Sequence, residues 1–83
     1  MRRKVCLEVV EPDVGRDCIV SVTEAGFPIL KGQEAQHAAC GACSDILAWN
    51  LSPQSICRMF RVVYRLLLLC RCGAHNLVPQ DHA

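Results

Sequence analysis

Eighty-three residues with nine basic and eight acidic side chains, a net charge of +1 and seven cysteines suffice for one domain and are too few for two. Apolar burial alone leaves so small a core marginal, and chains of this size often gain a metal ion or disulfides. A near-neutral charge gives no general affinity for polyanions, and the longest apolar run, Leu66 to Cys70, is too short for a membrane-spanning helix.

Along the chain, Lys4 to Val10 alternates as a half-buried strand, with Val5, Leu7 and Val9 on one side. Glu11 to Gly15 reads as a turn, because Pro12 fixes its own φ and Gly15 permits a positive one. Cys18 to Thr23 is a second β-branched run that would close a hairpin with the first, and Ala25 to Pro28 breaks it. Ile29 and Leu30 could add a short strand, and Gln33 to Ala39 tolerates helix. Ile46 to Trp49 forms a short apolar strand. Ser52-Pro53 is a helix start, serine as N-cap and proline in the first turn, and predicts one helix over residues 53–61. Ile56, Met59, Phe60 and Val63 recur on its apolar face. The β-branched and aliphatic residues from Val62 to Cys70 predict a strand beginning after Phe60, and Asn76 to Pro79 a last one. The fold class expected is a small β-rich α+β domain. Residues 1–36 form an N-terminal β-segment, 37–79 a metal-clamped ribbon and 80–83 a tail.

Cysteine spacing carries the chemistry. Nothing in the first residues has the form of a secretory signal, since Glu8, Glu11, Pro12 and Asp13 interrupt the segment after Arg2, Arg3 and Lys4. A cytoplasmic setting is therefore expected, where close cysteine pairs are metal ligands or redox groups more often than disulfides. Cys40-Gly-Ala-Cys43 and Cys70-Arg-Cys72-Gly73 are two such pairs, 26 residues apart. Gly41 and Gly73 supply the backbone freedom to aim each pair's thiolates at one tetrahedral ion. Closing the intervening loop costs roughly 3 kcal/mol. A structural zinc ion supplies an apparent 10 to 16 kcal/mol, on the order of several times that cost.

Residues 38–79, through Ala39-Cys40-Gly41-Ala42-Cys43, Ile46-Leu47 and Leu67-Leu68-Leu69-Cys70-Arg71-Cys72-Gly73-Ala74-His75-Asn76, resemble the small bacterial and phage-type zinc ribbons, the Com-like ribbons. The resemblance implies one structural Zn2+ on Cys40, Cys43, Cys70 and Cys72, and no catalysis. Two positions depart from the pattern: the second pair is Cys-x-Cys, and Ser44 stands where the first knuckle usually has glycine. Should the knuckle need wider spacing, Cys57, His37 or His75 would complete the ligand set in place of Cys70.

The remaining residues allow several functions. Residues 1–45 carry −2 and residues 46–83 carry +3. Arg58, Arg61, Arg65 and Arg71 could contact phosphate, or simply form a solvated face. Trp49 and Tyr64 could stack on bases, although a lone tryptophan is more often core. Cys6 and Cys18 read as core or half-buried thiols, and His82 as a tail residue without a role. The leading expectation is a non-catalytic module binding RNA, DNA or protein, with no membrane and no small-molecule substrate. Two alternatives stand beside it. One is a thiol-disulfide protein using Cys40 and Cys43, which lacks the βαβ setting of that chemistry. The other is a scaffold in which Leu66 to Leu69 offers an apolar patch.

Overall fold

The computed structural model describes residues 3–24, 27–28, 30–60 and 64–79. Its strands are β1 (Arg3–Cys6), β2 (Glu8–Val9), β3 (Cys18–Ser21), β4 (Thr23–Glu24), β5 (Phe27–Pro28), β6 (Leu30–Lys31), β7 (Gln36–Ala39) and β8 (Ile46–Trp49). Helix α1 (Pro53–Met59) follows, then β9 (Leu66–Leu69) and β10 (His75–Val78). The protein is thus a small β-rich α+β domain. Its tail, residues 80–83 with His82, and Ala25, Gly26, Ile29, Arg61, Val62 and Val63 lie outside the described residues.

Two antiparallel hairpins organise it. β7 pairs with β8, and β9 with β10. Each hairpin is the middle of a four-stranded sheet, in the orders β1-β7-β8-β6 and β2-β10-β9-β3, while β4 and β5 make a separate small ladder. The expected hairpin between the first two apolar runs does not form. β1 instead runs parallel to β7, and β3 parallel to β9. The reason lies at Leu7, which is buried and breaks the predicted continuous strand in two. Its N–H donates to the Ala39 carbonyl at 2.8 Å, and beyond it the chain leaves β7 to pair antiparallel with β10. That change of sheet resets the alternation, so Val9, expected inside with Leu7, is 45% exposed.

Gln36 to Ala39, helix-tolerant by composition, is a strand because β1 and β8 flank it on both sides. A register shift at Ala38/Ala39 leaves Leu47 as an extra residue in β8, a bulge that allows Leu47 and Ala48, adjacent in sequence, both to enter the core. Helix α1 begins as the sequence predicts: the Ser52 hydroxyl accepts from the Ser55 N–H at 3.2 Å and Pro53 occupies the first turn. It ends at Met59. Of its predicted apolar face Ile56 is fully buried, Phe60 packs against the core and Met59 is exposed. Leu66, Leu67 and Leu68 are all buried in the middle of the second sheet, beside a parallel neighbour, so they are not a surface patch. A strand covered on both faces reads as a continuous apolar run. Both sheets contribute to one core, with Ala38, Leu47 and Ala48 meeting Leu66, Leu68 and Val78.

One ion pair fastens the loop after β2 to the start of β9. Arg65 Nε and Nη2 donate to Asp17 Oδ1 and Oδ2 at 2.9 and 2.7 Å, and Nη2 also reaches the Glu11 carbonyl at 3.1 Å. The Asp17 side chain is shielded from solvent. The guanidinium, aided by the Asp13 N–H and opposed by desolvation, holds the Asp17 carboxyl below its ordinary 3.8. Stability from this pair is therefore full above about pH 4 and lost as pH falls through the lowered value. Asp17→Asn should flatten part of the acid limb of a urea-midpoint profile recorded between about pH 7 and pH 2; an unchanged profile would show that the pair does not couple folding to protons.

Candidate metal centre

The tips of the two hairpins lie together. Cys40 and Cys43 flank the turn between β7 and β8, Cys70 and Cys72 that between β9 and β10, and the four Sγ atoms are within 4.8 Å of one another. Two contacts run between hairpins: Cys40 to Cys72 at 3.7 Å and Cys43 to Cys70 at 3.5 Å. Sulfurs bound tetrahedrally at about 2.3 Å would stand about 3.8 Å apart. The cluster therefore has the dimensions of a metal-ion site before any ion is placed in it. Cys57 is half-buried against the core. His37 accepts the Asn50 N–H on Nδ1 at 2.8 Å and lies edge-on to Trp49, and His75 is half-buried in β10. None of the three belongs to the sulfur cluster.

Each turn closes in the same way, and this resolves the Cys-x-Cys departure. The Cys40 N–H donates to the Asp45 carbonyl at 2.8 Å, and the Ser44 N–H returns to the Cys40 carbonyl at 2.9 Å. In the second turn the Cys70 N–H donates to Ala74 at 3.0 Å, and the Gly73 N–H returns to Cys70 at 2.9 Å. The second knuckle is the first shortened by one residue. In both, the residue after the second cysteine takes positive φ: 94° at Gly73 and 66° at Ser44. Glycine does this without strain, whereas Ser44 carries on the order of 1 to 2 kcal/mol of it.

Asn76, completely buried, ties the knuckles together. Its Oδ1 accepts from the Gly41 N–H at 2.9 Å, and its Nδ2 donates to the Leu68 carbonyl at 3.2 Å and approaches Cys40 Sγ at 3.5 Å. Gly41 itself lies under the first strand, where a Cβ would come within 2.1 Å of the Leu7 carbonyl oxygen. No side chain fits. Sequence reading placed Asn76 only as a strand start; the sign available was an amide side chain opening an apolar strand four residues after Cys72.

The electrostatics are uneven. Burial pushes the Cys40 thiol up, but N–H donors from Cys43 and Ala42, the Asn76 amide and Cys72 outweigh it and bring Cys40 down to about 6. Burial dominates at Cys70 and, with the neighbouring sulfurs, pushes it up to about 12 despite the Cys72 N–H. Cys43 is favoured as thiolate by the Asp45 N–H, yet desolvation and the Cys72 and Cys40 sulfurs leave it above the ordinary thiol value. The set is compatible with a metal ion, which would favour the thiolate form at all four positions.

Of the four candidate arginines, Arg61 lies outside the described residues and the other three have different settings. Arg65 is committed to Asp17. Arg71 pairs with Asp45 at 3.0 Å while 59% exposed, and Arg58 sits in the last turn of α1. Tyr64 is exposed, with the Arg16 and Arg65 guanidinium groups 5.7 and 5.6 Å from its ring centre. Trp49, expected in the core, is 39% exposed, and Cys6 and Cys18 are exposed rather than half-buried. Among the described residues no helix is long and apolar enough to cross a membrane.

No protein-family model, curated protein or solved structure matches the chain.

Removing the Asn76 amide leaves the Gly41 N–H without its acceptor. Asn76→Ala is expected to lower folding stability by about 1 to 3 kcal/mol and metal affinity by about 10- to 100-fold, whereas Ser44→Gly gains about 1 kcal/mol. Denaturant titration and competition against a chromophoric chelator measure both; an Asn76→Ala protein unchanged in both would remove the residue's bridging role.

Proposed function

We propose that this chain is a non-catalytic structural zinc module of zinc-ribbon type, in which Cys40, Cys43, Cys70 and Cys72 clamp two hairpins through one Zn2+. The observation that carries the reading is the meeting of four sulfurs within 4.8 Å at the tips of two knuckles. An all-sulfur tetrahedral set suits zinc or iron. Four protein ligands close the coordination sphere, leaving no position for an activated water, which marks a structural role. The Ala42 N–H, 3.4 Å from Cys40 Sγ, and the Asn76 amide orient the ligand and spread its charge. A four-thiolate centre of this kind belongs in a reducing compartment such as the cytoplasm.

Metal analysis with native mass spectrometry tests the assignment directly. One zinc per chain is expected; iron, or no bound ion, would overturn it. Loading must also displace at least the protons of Cys43 and Cys70, whose pKa values lie above the ordinary thiol range. Proton release into a weakly buffered indicator solution, and zinc affinity that weakens as pH falls, are the expected signatures. Chelation should unfold the reduced protein, and an unaltered thermal transition would show that the ion holds nothing together.

A module without chemistry of its own presents a surface to a macromolecule. Nucleic acid is the partner favoured by one feature, the exposed Arg71 beside the knuckles. Its ion pair with Asp45 is solvent-exposed and worth little, so phosphate can replace the carboxylate, unlike the shielded Arg65–Asp17 pair. Binding to single-stranded or duplex nucleic acid should weaken with salt, and Arg71→Gln should reduce the slope by about one. Absence of binding at low salt removes nucleic acid and leaves a protein partner.

A further inference from the structure

The four cysteines can form disulfides in three pairings, and the sequence does not choose among them. We propose that the cluster is also a four-electron redox site for peroxide-class oxidants, closing as Cys40–Cys72 and Cys43–Cys70, so that two covalent links replace the ion between the hairpins. The inference takes its starting state, the metal-loaded cluster, from the zinc reading, while the pairing itself rests on the sulfur positions.

Three observations select this pairing. All four sulfurs lie within 4.8 Å of one another, and contacts of 3.7 and 3.5 Å join these pairs across the hairpins. A disulfide needs about 2.05 Å, so each pair closes by less than about 2 Å. The within-knuckle pairing would force Cys70 to Cys72, two residues apart in a turn already fixed by the Gly73 N–H on the Cys70 carbonyl. Exposure supplies the third: Cys43 and Cys72 are open to solvent whereas Cys40 and Cys70 are buried, so each cross pair joins one exposed sulfur to one buried partner.

The chemistry balances. Peroxide oxidises the exposed sulfur to a sulfenic acid and leaves as hydroxide; the buried thiolate attacks that sulfur, the S–S bond forms and a second hydroxide departs. Each disulfide yields two electrons to one peroxide. Two peroxides and four protons thus convert four bound thiolates into two disulfides and four waters, releasing the metal as an unchanged divalent ion. Linked in this way, the hairpins stay together without it.

The test uses the wild-type chain. Zinc-loaded protein is treated with two equivalents of hydrogen peroxide, released zinc is read with a chromophoric chelator, free thiols are alkylated, and the disulfides are mapped after trypsin. Arg71 lies between Cys70 and Cys72, so trypsin separates them, and tandem fragmentation across Gly41-Ala42 separates Cys40 from Cys43. Loss of one zinc per chain with Cys40–Cys72 and Cys43–Cys70 is expected, together with β-sheet circular dichroism that survives chelator in the oxidised form. A Cys40–Cys43 bridge, a Cys40–Cys70 bridge, or sulfinic acids in place of disulfides would overturn the proposal. If the chain takes up no zinc, the metal reading fails separately, and oxidation of the reduced metal-free protein still decides the pairing.

Discussion

Sulfur meeting sulfur at one end of two hairpins is the contact on which the architecture turns. Each hairpin is short, four residues a strand, and neither could bury its own apolar face. Together they enclose a single core in which Ala38 and Leu47 from one side meet Leu66 and Leu68 from the other. At the hairpin tips that core continues into Cys40, Cys70 and the buried Asn76, which bonds both hairpins. The thiols meet there unevenly, negative charge being favoured at Cys40 and resisted at Cys70. A divalent ion, as proposed, would turn this conflict into attraction shared by all four ligands.

Around the cluster the protein solves a matching problem. The two knuckles differ by one residue, yet both must deliver a buried and an exposed sulfur to the same centre. The longer turn accepts a serine in the left-handed region, and the shorter one uses glycine. Asn76 then sets the relation between them, since one carboxamide bonds the backbone of the first knuckle and of the second hairpin. Leu7 presses on the same place from above, close enough that only glycine fits beneath it at position 41. Ligand geometry, backbone contact and strand path are thus one arrangement.

What could be read in the sequence was whatever depends on neighbours along the chain. Ser52-Pro53 announces a helix because capping is local, and the leucine run from 66 announces a covered strand because composition reflects burial. The cysteine pairs announce convergence through spacing alone. Pairings such as Arg3 with Gln36 and Cys18 with Leu66 left no such sign. A parallel partner some thirty or more residues away imposes no turn and no alternation of its own. Gln36 to Ala39 misleads for the same reason, its extended form being imposed by strands on either side. Arg65 looked like a surface cation because the carboxylate that claims it lies in a distant loop. Asn76 was hidden by size, a single polar residue whose partners are divided between its own hairpin and the other.

The path of the first strand also bears on how the molecule is made. Residues 3–9 are stitched first to β7 and then to β10, which ends at Val78. During synthesis the segment beyond Leu7 waits for its partner until β10 has left the ribosome. Until then the second sheet lacks its closing hairpin, and β9 has β3 alone as a hydrogen-bonding neighbour. Structures dominated by such distant pairings form slowly and expose strand edges meanwhile. A nascent chain stopped before residue 75 would hold the first knuckle complete and the second hairpin unclosed.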